Sequence, residues 1–234
     1  MPDHFLEIYR NRANYYDRLV AREDQRGNLF RALNDIRLLD GLRVVEFGAG
    51  TARLTRLLSS QACSVHSFDI EPSMLKVAAT NMRETGMTNW SLAIGDNRRM
   101  PVVESCADLV IEGWSFAHVR EWQPNRWQED IDKMLAEMQR IVKPGGTVVL
   151  VETMGTGFRN PQAPTSELAQ LYAYWQAAHD LSYRWIRTDF QFASLQEAEE
   201  LMRDFFGDEL TNAVLARGKT IVPECTGIWW KHVD

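Results

Sequence analysis

The chain has 234 residues, of which 45% are hydrophobic, and this is enough for one large domain with a packed core. Its formal net charge of −6 argues against a surface for duplex nucleic acid, because such surfaces need clustered positive charge. No apolar run approaches the length that spans a bilayer, and the N-terminus lacks the basic and apolar regions of a signal peptide. We therefore expect a cytoplasmic protein without nucleic-acid or membrane partners.

The three cysteines, Cys63, Cys106 and Cys225, lie far apart in the chain and form no CxxC pair. This spacing suits neither a zinc site nor a disulfide framework. We expect all three to be buried as small apolar residues in a reducing compartment, and we predict no metal site.

The first 39 residues show the apolar spacing of helices, with a break at Gly27 and Asn28. This pattern predicts a helical N-terminal segment, residues 1–39, that packs over the edge of a sheet as a lid. Tyr16 belongs to this segment, and simple packing competes with ligand contact as the reason for its presence.

From Leu42 onward, short apolar runs alternate with stretches of helical spacing, which is typical of βαβ units and a parallel sheet. The tail predicts a β-hairpin whose second arm closes the sheet as an antiparallel strand. We therefore expect an α/β fold, a Rossmann-like seven-stranded, mostly parallel sheet with helices on both faces and a C-terminal antiparallel hairpin. The expected parallel strands are 44–47, 65–68, 91–94, 109–111 and 147–151, and the hairpin arms are 210–216 and 221–230.

Each of the five expected parallel strands ends in an acidic residue or is followed closely by one. Because the carboxyl ends of parallel strands meet at one edge of the sheet, these acids should line a common cleft. A dinucleotide needs a helix N-terminus free of nearby anions, so an acidic edge favours a ligand that carries positive charge and no phosphate. The acids are Glu46, Asp69, Asp96, Glu112 and Glu152.

The first strand leads through Gly48 and Gly50 into a helix, which predicts a strand, a tight turn and a helix. Glycine lets the backbone turn sharply and lets a ligand approach the main chain closely. Asp69 follows Gly48 by 21 positions, close to the spacing expected of an acid that binds ribose hydroxyls.

The stretch from Val44 to Ala52 resembles motif I of the class I S-adenosylmethionine-dependent methyltransferases, with Ala52 in place of the third glycine. Because alanine is the smallest step from glycine, we expect a slightly changed turn and an intact site. The resemblance covers residues 40–152 and implies S-adenosyl-L-methionine as the cofactor. Further matching pieces follow in the family's order at 68–75, 95–96, 107–110 and 135–146.

The resemblance also implies roles for individual residues. Glu46 and the glycine backbone would face the methionine part of the cofactor, Asp69 would hold the ribose, and Asp96 would read the adenine edge. Taken alone, Asp96 could equally be a turn or helix-cap residue, and Trp114 could equally be a packed core residue. The implied cofactor-binding residues are Tyr16, Glu46, Gly48, Gly50, Asp69, Ile70, Met74, Asp96, Asn97, Glu112 and Trp114.

The resemblance implies methyl transfer by in-line displacement, and we expect a small organic acceptor with a nitrogen or oxygen nucleophile. We expect a single domain over residues 1–234. Besides the lid, it would consist of a cofactor-binding core at 40–152, a cap insertion at 153–190, and a closing helix and hairpin at 191–234. The cap carries aromatic residues that would either wall the acceptor pocket or bury the insertion against the sheet. They are Tyr172, Tyr174, Trp175, His179, Tyr183 and Trp185.

A general base is needed only if the acceptor must lose a proton. The candidates are His118, Glu152 and His179, and the sequence does not choose among them. A lone histidine such as His118 is also often a hydrogen-bonded structural residue.

Two other classes of function remain open at this stage. One is an NAD-dependent or nucleotide-sugar Rossmann enzyme, although Ala52, Arg53 and the acidic edge speak against it. The other is a methyltransferase-like protein that binds a partner without catalysis. Trp229 and Trp230 on the terminal strand suit either a homodimer edge or core burial.

Overall fold

The computed structural model describes residues 2–234, with side chains from residue 4 onward. The expected lid begins at Met1, which lies outside the described residues. Strands β1 to β9 span Arg43–Phe47, Ser64–Asp69, Trp90–Ile94, Ala107–Gly113, Val142–Thr156, Ser182–Arg187, Phe190–Gln191, Ile221–Val222 and Glu224–His232. Helices α1 to α9 span Pro2–Asn11, Ala13–Val20, Asn28–Ile36, Arg53–Ser59, Pro72–Glu84, Val119–Trp122, Trp127–Ile141, Ser166–His179 and Leu195–Ala216.

Seven strands form one sheet in the order β3-β2-β1-β4-β5-β9-β6. Strands β1 to β5 pair in parallel, whereas β9 runs antiparallel to both β5 and β6. Strands β7 and β8 form a separate antiparallel pair. The expected fold class is therefore confirmed.

The two faces of the sheet are covered by different helices. Along β1, Val44 packs among side chains of α3 and α4. Val45 and Phe47 pack on the other face, among side chains of α7 and α8. This alternation follows from the two-residue period of a strand, and burial on both faces explains the nearly continuous buried runs of the central strands β1 and β4.

The segment expected as the first hairpin arm, residues 210–216, is helical instead and ends α9. Leu210 and Val214 are four residues apart, and they pack with Leu201 and Met202 in one apolar cluster. Residues four apart share a face of a helix, and the kink of α9 at Gly207, with φ of +82°, accompanies the packing of this last part of the helix against Leu201 and Met202. Strand β9 pairs with β5 and β6 instead of with this segment.

Strand β5 continues to Thr156, beyond its expected end at Val151, and β6 lies within the expected cap insertion. Part of that insertion is therefore a strand of the main sheet. Only Cys225 is buried; Cys63 is exposed and Cys106 half-buried, so the expectation of burial is wrong for two cysteines. Within residues 2–234, no helix combines the length and apolar character needed to cross a bilayer.

Candidate functional site

The turn between β1 and α4 uses left-handed backbone at three positions. Gly48, Gly50 and Ala52 have φ values of +68°, +54° and +73°. A Cβ atom on Gly48 would overlap the side chain of Ser115, so glycine is needed for the close approach of these two loops. Ala52 accepts the same backbone region at a cost of about 1–2 kcal/mol, and the turn is preserved without a third glycine.

A first cavity of about 330 Å³ lies beside this turn at the carboxyl edge of the sheet. Asp69 at the end of β2 accepts hydrogen bonds from the backbone N–H of Gly50 at 2.7 Å and of Glu71 at 2.8 Å. Each carboxylate oxygen keeps acceptor capacity for a ligand hydroxyl. The cavity is lined by nine of the eleven residues expected to bind a cofactor: Tyr16, Gly48, Gly50, Asp69, Ile70, Met74, Asp96, Asn97 and Trp114.

The remaining two residues, Glu46 and Glu112, lie behind the wall of this cavity and do not line it. Glu46 is buried, and its Oε2 accepts hydrogen bonds from the hydroxyls of Thr55 and Ser67, both at 2.6 Å. Glu112 is also buried, and its Oε2 accepts the backbone N–H of Ser115 at 3.2 Å. The structure thus corrects their expected positions, because both carboxylates face inward and organise the loops that carry the wall.

Burial is the main influence on both of these carboxyl groups. It raises the pKa of Glu46 to about 7, although the two hydroxyl donors oppose the shift. It raises the pKa of Glu112 to about 8, against hydrogen bonds from the backbone of Ser115 and Phe116.

Asp96 lines the first cavity near its mouth and is tied to Arg98. The guanidinium donates to both carboxylate oxygens, at 2.9 Å and 2.7 Å, and these hydrogen bonds lower the pKa of Asp96. Arg10, the other arginine on the described wall, pairs with Glu71 at 3.3 Å. Both arginines are thus neutralised, and the cavity offers no free cationic clamp for a phosphate.

Sequence reasoning missed several walls of the first cavity. Tyr9 lies in the helical N-terminal segment, whose spacing gives no sign of ligand contact, and Ser115 carries no sequence signal. Trp122 on α6 and the following Gln123 also line the cavity. The other residues missed were Leu6, Arg10, Glu71, Arg98, Gly113, Val119, Asp130 and Met134.

A second cavity, of about 350 Å³, adjoins the first. Two of the three candidate bases, His118 and Glu152, line it. Helices α1 and α9 together cover one side of this cavity. The ring centroids of Phe5 on α1 and Phe205 on α9 are 5.2 Å apart there. Its other walls include Leu19, Val20, Glu23, Arg53, Thr153, Thr156, Leu168, Phe190, Phe206 and Glu224.

Four side chains line both cavities and so form the partition between them: Tyr9, Tyr16, Trp114 and His118. The hydroxyl of Tyr9 and Nε2 of His118 are 2.9 Å apart and hydrogen-bonded. Burial lowers the pKa of His118 to about 4, so its imidazole is neutral near pH 7. Trp114, with φ of +55°, lies beneath the guanidinium of Arg53, whose Cζ is 4.0 Å from the ring centroid.

The pKa of Glu152 is shifted upward, whereas that of His118 is shifted downward. Glu152 is buried, and its Oε1 accepts the backbone N–H of Ala117 at 3.0 Å. Burial, together with the charge of Glu112, raises the pKa of Glu152 well above its usual range. A carboxylate in this environment is a stronger base than an ordinary one, whereas the buried imidazole of His118 is a weaker base than usual.

His179, the third candidate base, lies outside both cavities. Its Nε2 contacts Asp132 at 2.9 Å near the surface. None of the six aromatic or histidine residues expected to wall the acceptor pocket lines either of these two cavities. Trp175 is instead buried against Trp229, with ring centroids 5.1 Å apart. Trp229 is likewise a core residue.

The first cavity suits a nucleoside that carries positive charge and no phosphate. Asp69 is held by two backbone N–H groups and keeps acceptor capacity for hydroxyls, and Gly48 and Gly50 contribute main chain without side chains of their own to the wall. Exposed Ile70 offers an apolar surface for a base. These features, at the carboxyl edge of a parallel sheet, define a nucleoside-binding α/β protein.

Comparisons with known proteins agree with this class. Residues 44–146 match a family model of the methyltransferase domain. An uncharacterized methyltransferase of Geobacillus thermodenitrificans is 26% identical over 202 residues, covering 83% of this chain and 87% of that protein. A demethylmenaquinone methyltransferase of Staphylococcus aureus is 25% identical over 215 residues, covering 84% and 82%.

Among solved structures, a SAM-dependent methyltransferase from Aquifex aeolicus superposes with a TM-score of 0.56 at 15% identity, covering 90% of this chain and 95% of that one. At this identity the likeness concerns the fold. The chain is thus similar to methyltransferases along most of its length and shares the fold of a SAM-dependent one, which supports S-adenosyl-L-methionine as its cofactor.

Proposed function

We propose that this enzyme methylates a small organic acceptor through a nitrogen or oxygen nucleophile, with the acceptor in the second cavity. The observation that carries the proposal is the partition of Tyr9, Tyr16, Trp114 and His118, which borders both cavities. A cavity of about 350 Å³ suits a small molecule. The two cavities thus place a nucleoside and a small acceptor on opposite sides of the same four side chains.

In this proposal, the first cavity holds the cofactor as the sequence predicts. Asp69 accepts the ribose hydroxyls, Ile70 lies against the adenine, and Asp96 and Asn97 border its edge. The cofactor supplies a methyl group on a positively charged sulfur, so the protein's main task is to align the acceptor. Alignment of two reactants contributes about 7–11 kcal/mol to lowering a barrier.

Glu152 is the best candidate for a general base. It lines the acceptor cavity, and its burial makes it a stronger proton acceptor than an ordinary carboxylate. His118 is better suited to hold the Tyr9 hydroxyl in place, since its imidazole is a weak base. His179 takes no part in this proposal, because it lies outside both cavities.

A carbon nucleophile is the main competing acceptor, because a relative is named a demethylmenaquinone methyltransferase. We therefore suggest an assay with methyl-labelled cofactor and five acceptor classes: alkylamines, phenols, a naphthohydroquinone, bulk protein and transfer RNA. We expect methylation of amines or phenols. Label transferred only to protein or RNA, or only to a ring carbon of the naphthohydroquinone, would refute the proposal.

The role of Glu152 is tested by Glu152→Gln, which retains an oxygen to accept the Ala117 N–H. We expect kcat to fall by about 10²–10⁴-fold, the usual contribution of a positioned base. Affinity for S-adenosylhomocysteine should be unchanged, since Glu152 does not line the first cavity. The matched control is Glu84→Gln, which removes an exposed carboxylate outside both cavities.

A further inference from the structure

We infer that the second cavity binds its ligand as a cation, with an alkylammonium group held among Glu23, Glu152 and Glu224. This inference rests on the proposed function, in which the same cavity holds the acceptor. It narrows the acceptor from any nitrogen or oxygen nucleophile to an amine that enters in its protonated form.

Glu224 has a buried carboxylate oxygen to which a ligand could donate a hydrogen bond. The residue is 3% exposed and lines the cavity, and its Oε1 accepts the hydroxyl of Thr153 at 2.7 Å. Its Oε2 is buried without a hydrogen-bond partner of normal geometry within residues 2–234, although the nearby Thr156 hydroxyl acts to lower the pKa of this carboxyl group. A buried carboxylate oxygen without a donor is costly, so a ligand that donates to it there gains affinity.

Glu23 presents a second acceptor of the same kind. Its Oε2 pairs with Nη1 of Arg53 at 2.7 Å, and its side chain is only 5% exposed. Its Oε1 is buried without a partner in the described part of the chain. One guanidinium therefore neutralises one carboxylate and leaves an oxygen of that carboxylate available.

Acidic side chains outnumber basic ones around the cavity, and burial favours the protonated forms of Glu152 and Glu224 as long as no cation is bound. The described wall carries four carboxylates, Glu23, Glu121, Glu152 and Glu224, against the single guanidinium of Arg53. Nη2 of Arg53 is also buried without a partner in residues 2–234. An anionic ligand would gain that one donor while facing four carboxylates, so Arg53 does not reverse the selection for a cation.

The N–H donors of an alkylammonium group match the carboxylate acceptors of this cavity in number and in type. An alkylammonium has three N–H donors and no acceptor, and the cavity presents three buried carboxylates. The apolar part of the ligand would meet aromatic rings, among them Phe190, Phe205 and Phe206. Aromatic faces attract cations by about 0.5–2 kcal/mol, whereas a neutral hydroquinone can donate its O–H groups to the carboxylates but brings no positive charge.

The protonation behaviour of the carboxyl groups supports the same conclusion. Burial raises the pKa of Glu224 to about 8, with a further contribution from the charge of Glu23. Burial also raises the pKa of Glu152 well above its usual range. Both groups thus lack sufficient positive charge nearby, and a bound ammonium would provide it.

The inference is tested by calorimetry on the protein saturated with S-adenosylhomocysteine at pH 7. The probes are 2-phenylethylamine, its neutral counterpart 2-phenylethanol, and 1,4-naphthohydroquinone. We expect the amine to bind at least about 10-fold more tightly than the alcohol, as a charge-assisted hydrogen bond provides. Equal or tighter binding of the alcohol or the hydroquinone would overturn the inference.

The matched variants are Glu224→Gln and Glu84→Gln, each of which replaces one carboxyl group by an amide that cannot ionise. We expect Glu224→Gln to weaken the amine by about 10- to 100-fold and to leave the alcohol within about 3-fold, while Glu84→Gln changes neither. Unchanged amine affinity in a folded Glu224→Gln variant would also overturn the inference. If that variant fails to fold, the preference of the native protein for amine over alcohol decides the question.

These outcomes separate the inference from the proposed function. If the labelled-cofactor assay methylates a phenol while amine binding shows no preference, the inference fails and the small-acceptor proposal stands. If no amine or phenol is methylated in that assay, the proposed function fails.

Discussion

Glu46 should make the stability of this protein fall as the pH rises. Its pKa is raised by burial from the ordinary value of 4.5 to about 7 in the folded state. Below about pH 4.5 the group is protonated in both states and has no effect. Between the two pKa values the unfolded chain ionises first, so stability is lost as the pH rises, and the loss is complete above about pH 7. This difference between the pKa values of Glu46 in the folded and unfolded states corresponds to about 3 kcal/mol of unfolding free energy.

Glu46→Gln isolates this contribution. The glutamine oxygen can accept both hydroxyls that now reach Oε2, those of Thr55 and Ser67, while the titrating proton is removed. Urea unfolding of the cofactor-free native protein and the variant should be compared at pH 5 and pH 8. We expect the variant to gain about 2.5 kcal/mol relative to the native protein between these two pH values, because a small part of the effect is already present at pH 5. A difference in unfolding free energy that stays the same at both pH values would refute the reasoning.

Three further predictions concern the cavities. Asp69→Ala should weaken S-adenosylhomocysteine binding by about 10- to 100-fold in calorimetry, because ribose hydroxyls lose a charged acceptor; unchanged affinity would contradict its assignment. Gly48→Ala should weaken the same ligand by more than about 10-fold, since the added Cβ overlaps Ser115 and the left-handed backbone costs about 1–2 kcal/mol; tight binding by a folded variant would contradict this. Tyr9→Phe should lower kcat by about 5- to 100-fold, because the His118 imidazole loses its hydrogen bond; S-adenosylhomocysteine affinity serves as the control, and an unchanged kcat would count against the role of Tyr9.

The cofactor side of the site was predictable because topology alone brings its parts together. Once the chain is recognised as alternating strands and helices, the ends of parallel strands must share an edge, and Asp69 and Asp96 follow. The same reasoning cannot tell which way a strand-end side chain points. Glu46 and Glu112 are at the expected edge but face inward, toward hydroxyl and backbone donors that sequence reasoning did not identify.

The acceptor side was not predictable, because its walls come from segments that meet only in the folded protein. Glu23 follows α2, Glu224 begins β9, and Phe205 lies on α9. Their proximity depends on packing between distant elements, which no local pattern encodes. The aromatic residues of α8 misled the prediction for a related reason, since Trp175 has as good a partner in Trp229 as it would have in a ligand.

The contact between Phe5 and Phe205 has a consequence for how acceptor preference can be changed. Helices α1 and α9 together cover one side of the second cavity, and α1 also lines the first cavity through Leu6 and Tyr9. Exchanging one of these helices with a relative would leave two mismatched halves, whereas exchanging both would transplant a complementary pair. Under the proposed function, acceptor choice is thus a joint property of two helices that lie almost two hundred residues apart in the sequence.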